Sequence, residues 1–175
     1  MRKYLFIFVV SFTVLTSTAQ EKDSIIQQKP TNLVGLKTRA NFNQQPYILW
    51  FDKNYKSYVL DKTILKKLKK QLKGVKIKAF MGTWCGDSKR ETPRFYKLLD
   101  SVNYNTDNLT LITLNRSKKT PDNLQEGYGI TRVPTFIFYK NDKEIGRYVE
   151  YPRETLEKDI LKILSGEPYK HAYEE

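Results

Sequence analysis

The chain has 175 residues, and its 31 lysines and arginines against 19 acidic residues give a formal net charge of +12. This length suits one domain with a sizeable core rather than two. Because it contains one cysteine and one histidine, the chain can form neither an internal disulfide nor a Cys/His structural zinc site.

Several classes of enzyme are disfavoured by what the sequence lacks. The histidine, His171, lies in a polar stretch near the C-terminus, so a Ser-His-Asp or Cys-His pair has no credible histidine. There is no phosphate-binding glycine loop and no dinucleotide-binding fingerprint. We therefore expect neither a metal nor a cofactor, and hydrolase and nucleotide-dependent functions are weakly supported.

The N-terminus has the pattern of a secretory signal peptide over residues 1–19. Arg2 and Lys3 precede an apolar run at residues 4–15, and Ser17-Thr18-Ala19 supplies small residues at the cleavage positions. The run is shorter than the roughly 20 residues that cross a bilayer. The alternative is a buried N-terminal strand. We expect export to a periplasm or secretion, with a mature chain that begins at Gln20.

A polar leader at residues 20–45 and a helical extension at residues 46–72 are predicted next. Residues 33–36 could form a short strand within the leader. The extension carries aromatic residues at helical spacing: Tyr47, Trp50, Phe51, Tyr55 and Tyr58. This stripe could be a ligand platform, but the buried face of a helix is the favoured interpretation.

A second helix is predicted over residues 62–72, with Asp61 as its N-cap. It carries many lysines: Lys62, Lys66, Lys67, Lys69, Lys70 and, just beyond it, Lys73. Such a helix could bind an anionic membrane surface or nucleic acid. A solvated face that keeps the protein soluble is the favoured interpretation. Nucleic acid is disfavoured further because export removes the protein from it.

The central stretch combines a buried strand, a tight turn and the start of a helix. An apolar run at residues 75–81 leads into Gly82-Thr83-Trp84-Cys85-Gly86-Asp87-Ser88, and a helical pattern follows at residues 89–99. A thiol at such a junction meets unpaired backbone N–H groups and the positive end of the helix dipole. That position stabilises the thiolate, the reactive form of cysteine. Asp87 opposes it by charge repulsion, whereas Lys89 and Arg90 favour it.

The remaining elements complete an alternating pattern. We predict strands at residues 109–114, 135–139 and 144–151, a short helix at 121–126 and a final helix at 153–164 that Gly166 terminates. Pro93 removes a backbone donor inside the helix after the cysteine and should bend it. The order of elements indicates an α/β fold with a central sheet.

Two motifs resemble the signatures of thioredoxin-like proteins. One is Trp84-Cys85-Gly86-x-x-Lys89-x-x-x-Pro93, and the other is Tyr128-Gly129-Ile130-Thr131-Arg132-Val133-Pro134-Thr135. The resemblance implies a thioredoxin-like fold with a central mixed β-sheet flanked by helices over residues 73–166, followed by a tail at 167–175. It also implies a cis peptide before Pro134 and a substrate groove lined by Trp84, Gly86, Asp87, Val133, Pro134 and Thr135.

Two departures from the family pattern change the expected chemistry. Ser88 replaces the second cysteine of the C-x-x-C motif, and Ala79 replaces the buried acidic residue of thioredoxin. Ser88 cannot resolve a mixed disulfide, although its hydroxyl is a candidate donor to the Cys85 sulfur. Glu150 stands about where thioredoxin has a small glycine on the groove rim, which suggests a narrower or more acidic groove.

These observations favour a monothiol thiol–disulfide exchange protein with Cys85 as nucleophile and Ser88 beside it. The expected partners are exported proteins with thiols or disulfides, or a small thiol, and the expected state is a monomer. One alternative is a redox-inactive binding or chaperone-like module of the same fold, in which Cys85 is a relic. A basic membrane-surface protein is a weaker alternative.

Overall fold

The computed structural model describes residues 32–174. The predicted signal peptide and residues 20–31 of the predicted leader lie outside these residues. The described part of the chain contains five strands and four α-helices. In chain order they are β1 Gly35–Lys37, α1 Tyr47–Ser57, α2 Leu65–Gln71, β2 Val75–Met81, α3 Gly86–Ser101, β3 Leu109–Thr113, β4 Thr135–Lys140, β5 Lys143–Val149 and α4 Leu156–Ser165.

The five strands form one mixed sheet in the order β1-β3-β2-β4-β5. β2 is central: it pairs in parallel with β3 and antiparallel with β4. β1 and β5 are antiparallel edge strands. The apolar run that predicts a buried strand is β2, with Phe80 and Met81 fully buried. The predicted α/β fold with a mixed sheet and flanking helices is confirmed.

The two faces of the sheet are covered differently. All four helices contribute to the larger core cluster, through residues such as Phe51, Leu68, Phe95 and Ile160. The smaller cluster on Phe80 is built mainly from strands and from the loop between β3 and β4, and Trp84 and Cys85 pack against it. The reactive turn therefore lies where a strand end, a helix start and this loop meet.

The segment before β2 is built into the domain. Phe42 is fully buried and stacks on Phe51 of α1, with ring centroids 5.2 Å apart. Arg39 pairs with Asp100 of α3 at 2.5 Å, and the Tyr55 hydroxyl donates to the same carboxylate at 2.6 Å. The aromatic stripe of the extension is therefore mainly a packing face against α3, as the sequence pattern favours.

Three boundaries differ from the predictions. The segment assigned to the polar leader contributes β1, because Gly35 and Lys37 find backbone partners on β3. α2 begins at Leu65, because the Asp61 carboxylate accepts from the Thr63 N–H and closes a turn before the helix. Residues 121–126 form turns rather than a helix, with Asn123 in the left-handed region (φ 51°).

The lysines of the basic segment at 62–73 are exposed in the structure. A bilayer-spanning helix would need greater length and apolarity than any helix within residues 32–174 has. The solvated face that the sequence analysis favours is consistent with this exposure.

Truncation of Phe42 tests whether the packing of the segment before α1 on the helical extension stabilises the fold. Phe42→Ala removes a fully buried ring from the stack with Phe51, so we expect the free energy of unfolding to fall by about 3–5 kcal/mol in urea denaturation. Leu49→Ala is the control, because Leu49 lies on α1 with 65% of its surface exposed and should change stability by about 0.5 kcal/mol or less. Equal effects of the two changes would contradict an integrated extension.

Candidate functional site

Cys85 occupies the N-cap of α3, directly after the turn that ends β2. Its backbone N–H donates to the Gly82 carbonyl at 2.9 Å, and its own carbonyl accepts from the Lys89 N–H at 3.1 Å. The backbone at Cys85 is extended and the residue is half-buried. Because α3 starts at the next residue, the sulfur lies at the positive end of a 16-residue helix, where negative charge is stabilised.

The second motif meets the cysteine from the other side of the turn. The Cys85 thiol donates to the Val133 carbonyl, with 3.1 Å between Sγ and oxygen, and the Val133–Pro134 peptide is cis. The Thr135 hydroxyl donates to the Arg132 carbonyl at 2.7 Å and holds the loop as β4 begins. The predicted cis peptide and its proximity to Cys85 are confirmed.

Ser88 serves the turn rather than the sulfur. Its side chain is completely buried, and its hydroxyl oxygen accepts the backbone N–H of Gly82 at 3.1 Å. Within residues 32–174 the structure records no hydrogen bond between Ser88 and the Cys85 sulfur. The sequence-based candidate donor to the sulfur is therefore an acceptor for the backbone, because the first turn of α3 directs it inward beneath the loop.

Trp84 is fixed beside the cysteine by two constraints. Its indole N–H donates to the Leu114 carbonyl at 2.8 Å. A β-carbon at Gly82 would come within 2.6 Å of the indole, so only glycine allows this close approach. The Arg116 guanidinium lies 5.6 Å from the centre of the Trp84 ring. Gly86, by contrast, is exposed at the start of α3 with open space around it.

Asp87, whose negative charge is expected to oppose the thiolate, forms an ion pair in the structure. The Asp87 carboxylate lies 2.7 Å from the Arg90 guanidinium, which also contacts the buried carboxylate of Glu91 at 2.6 Å. Burial lowers the pKa of Arg90, but its bonds to Glu91 and Asp87 outweigh that effect and raise it. Asp87 therefore faces the site as half of an ion pair, and its repulsion of the sulfur is reduced.

Glu91 is a buried carboxylate beside the Asp87–Arg90 ion pair, and the sequence analysis did not identify it. It is 1% exposed and accepts from the Tyr148 hydroxyl at 3.2 Å as well as pairing with Arg90 and Arg94. Desolvation, followed by the charge of Glu91, raises the pKa of Tyr148. Charged residues in succession on a helix normally indicate a solvent-exposed face. The sequence pattern around Glu91 therefore did not predict that this side chain is buried.

Thr83 is the second missed residue. Its hydroxyl oxygen accepts from the Leu33 backbone N–H at 3.1 Å, which ties the N-terminal segment to the turn that carries Cys85. The two residues are 50 positions apart, and nothing in the local sequence of either signals the contact.

The groove rim contains the predicted Glu150, but its charge is compensated. Its backbone lies in the left-handed region (φ 65°), where glycine is more usual, and its N–H donates to the Pro134 carbonyl at 2.7 Å. Its carboxylate pairs with Arg132 at 3.4 Å and accepts from the Tyr173 hydroxyl. The rim carboxylate is therefore paired with a cation and bonded to the tail, and a narrower or more acidic groove stays a prediction.

The predicted groove residues lie on two sides of the Cys85 thiol. Within residues 32–174, no three or more His, Cys, Asp or Glu side chains are arranged to hold a metal ion. The predicted groove residues Trp84, Gly86 and Asp87 lie on the turn and first turn of α3, and the loop at residues 133–135 lies opposite. The arrangement presents one half-buried thiol between a helix terminus and a cis-proline loop.

Comparison with known proteins gives a consistent family. Residues 40–162 match a family model described as thioredoxin. A thioredoxin-like protein of Acanthamoeba polyphaga mimivirus is 33% identical over 90 residues, which cover 51% of this chain and 63% of that protein. Thioredoxin H2 of Arabidopsis thaliana is 29% identical over 84 residues, covering 48% and 59%. The matches thus span less than two thirds of these curated relatives.

Solved structures give similar matches. The oxidised form of mitochondrial thioredoxin 3 from Saccharomyces cerevisiae is 26% identical, with a TM-score of 0.31, and the match covers 54% of this chain and 84% of that one. A Fasciola hepatica thioredoxin is 24% identical with a TM-score of 0.33, covering 50% and 79%.

The contact between Gly82 and Trp84 can be tested by adding one carbon. Gly82→Ala should displace the indole from Leu114, lower the free energy of unfolding by about 1–3 kcal/mol and shift Trp84 fluorescence, read in a Trp50→Phe background. Gly86→Ala is the matched control, because its added carbon meets no atom within 4 Å. It should leave stability unchanged or raise it by up to about 1 kcal/mol. Equal destabilisation by both changes would contradict the indole contact.

Proposed function

The chain belongs to the thioredoxin family, and from this premise we propose that it is an exported monothiol thiol–disulfide exchange protein. Family membership supports a general thiol redox function. The finer assignment to a monothiol mechanism is our proposal. It is carried by one observation: the lone cysteine caps α3 with its sulfur 3.1 Å from the carbonyl next to the cis proline, whereas the resolving position holds a buried serine.

The first chemical step is attack by the Cys85 thiolate on a substrate disulfide. One substrate sulfur bonds to Cys85 and the other leaves as a thiolate, so the product is a mixed disulfide. The helix terminus favours the negative charge on the attacking sulfur, and the Asp87–Arg90 pair limits the opposing charge. Because the thiol donates to Val133 in the resting protein, deprotonation frees that carbonyl as an acceptor.

The second step requires a thiol from outside the chain. The Ser88 hydroxyl is bonded to the Gly82 N–H and carries no sulfur, so it cannot release the mixed disulfide. A thiol of the substrate, which gives isomerisation, or a small thiol attacks instead. It forms a new disulfide with either Cys85 or the substrate and releases the other sulfur as a thiolate.

Substrate proteins would bind between the two motifs. Trp84 and Gly86 flank the sulfur on one side, and the Val133 carbonyl, which becomes free when the thiol is deprotonated, lies on the other. Export would place the protein among extracytoplasmic proteins whose thiols form disulfides, an oxidising setting that suits such exchange.

Export is tested by the N-terminus of the native protein. We expect protein purified from its source cells to begin at Gln20 and to be found outside the cytoplasm, because residues 1–19 have the basic, apolar and small-residue order of a signal peptide. N-terminal sequencing and cell fractionation measure both. An intact Met1 in a cytoplasmic pool would contradict export.

Trapping of mixed disulfides tests the mechanism. The wild type should accumulate mixed disulfides with thiol-containing proteins under mild oxidant, Cys85→Ala should accumulate none, and Ser88→Cys should reduce insulin faster than the wild type because it supplies a resolving thiol. Ser88→Ala is the control: it leaves the Gly82 N–H without this acceptor, at a cost of about 1–3 kcal/mol in stability, but should retain trapping.

Alkylation of Cys85, read together with the trapping experiment, distinguishes this proposal from the redox-inactive alternative. Cys85 in the native protein should react with iodoacetamide at neutral pH faster than the cysteine of an unstructured peptide. If the wild type and Cys85→Ala trap equally little, and Cys85 reacts no faster than the peptide, the exchange function is contradicted and a binding module replaces it.

A further inference from the structure

A cavity of about 270 Å³ lies directly beside the reactive turn. Its wall includes Trp84 of the turn, Lys89 of α3, Arg116 of the loop after β3 and Trp50 of α1. Asn32, in the N-terminal segment, also lines the cavity. Lys89 lies one helical turn from Cys85, whose carbonyl accepts its backbone N–H. The cavity therefore borders the turn that carries the nucleophile, and among residues 32–174 neither Cys85 nor any residue of the cis-proline loop lines it.

The charge of this cavity is unbalanced. Lys89 and Arg116 line it, and no aspartate or glutamate among residues 32–174 does. Other cations near the site are neutralised: Arg90 and Arg94 contact Glu91, and Arg132 contacts Glu150. Among residues 32–174, neither Lys89 nor Arg116 has a carboxylate within ion-pair distance. Two cations without a carboxylate partner in one concave wall attract an anionic ligand.

Two parts of the cavity wall are held by hydrogen bonds. The Trp84 indole is held by the Leu114 carbonyl, and the Arg116 guanidinium lies over its ring. The bond from the Leu33 N–H to Thr83 holds the neighbouring Asn32 segment against the turn. A volume of about 270 Å³ lies just below the roughly 300–1,000 Å³ of typical ligand pockets, which suits a small molecule better than a length of protein chain.

We infer that the cavity between Trp84, Lys89 and Arg116 binds the carboxylate groups of a low-mass thiol or disulfide that reacts at Cys85. This inference rests on the proposed exchange function, which needs an external thiol because Ser88 cannot resolve. The cavity receives the small reactant, and the cis-proline side is left for the protein substrate.

The exchange balances without any further reagent. The Cys85 thiolate attacks one sulfur of the small disulfide, the S–S bond breaks, and one small thiolate leaves while the other half stays bound to Cys85. In the opposite direction, a small thiolate attacks Cys85 in the protein mixed disulfide and expels the substrate thiolate. A second small thiolate then attacks the sulfur bound to Cys85, which regenerates the Cys85 thiolate and forms the small disulfide.

The test compares disulfides that differ in charge. Full-length mature protein is reacted with 3,3′-dithiodipropionate, which is anionic, and with bis(2-hydroxyethyl) disulfide, which is neutral. We expect the anionic reagent to react faster, and the ratio of the two rates to fall about fivefold to tenfold in the double variant Lys89→Ala/Arg116→Ala. The ratio cancels any general change in the reactivity of Cys85.

A matched control removes the same charge elsewhere. Lys66→Ala/Lys67→Ala deletes two exposed cations of α2 and should lower the ratio by less than twofold. A direct binding measurement uses Cys85→Ser, which cannot react: 3,3′-dithiodipropionate should quench tryptophan fluorescence saturably, and the Lys89/Arg116 double change should remove that saturation.

Each contrary result has a distinct meaning. If exchange occurs but the charge ratio is near one, or if both double variants lower it equally, the cavity inference is overturned and the exchange function stands. If only a peptide disulfide with acidic residues shows the dependence, the cavity serves a protein partner and the inference is overturned. If neither small disulfide reacts, the exchange function itself fails and the inference fails with it.

Discussion

The site depends on the antiparallel register of β2 and β4. That register sets Phe80 opposite Thr135. The chain therefore leaves β2 toward Cys85 at the same end of the sheet where it enters β4 from Val133. Because of this pairing, two segments 48 positions apart place a sulfur and a carbonyl oxygen 3.1 Å from each other. A shift of the register by one residue would reverse the faces of every β4 side chain and separate the two motifs.

The serine at the resolving position changes the chemistry without opening the fold. Its hydroxyl accepts a backbone N–H that would otherwise be buried without this partner, and a buried unsatisfied donor costs about 1–3 kcal/mol. The first turn of α3 therefore keeps a polar atom at that position for structural reasons. The site loses its second sulfur but keeps the geometry that presents the first, which is why an external thiol completes the proposed cycle.

Local patterns predicted the centre of the fold better than its edges. An apolar run followed by a tight turn and a helical pattern was sufficient to place β2, Cys85 and α3, and the cis peptide followed from a family resemblance. The possible strand at residues 33–36 is displaced to Gly35–Lys37 in the structure, because the bounds of a three-residue strand are set by its partners on β3 rather than by its own pattern. The burial of Glu91 and the pairing of Asp87 with Arg90 depend on packing and side-chain geometry that hydrophobic periodicity does not report.

The N-terminal segment supplies part of the wall beside the reactive turn. Phe42, Arg39 and α1 pack on α3, and Trp50 of α1 lines the same cavity as Trp84. The hydrogen bond from the Leu33 N–H to Thr83 places Asn32 in the wall of that cavity as well. The extension thus adds a second side to the reactive turn while contributing no carboxylate to it. Among residues 32–174, the carboxylates near Cys85 are paired with arginines, so the uncompensated charge beside the turn is positive. If the proposed exchange function holds, this charge would favour anionic thiols over neutral ones.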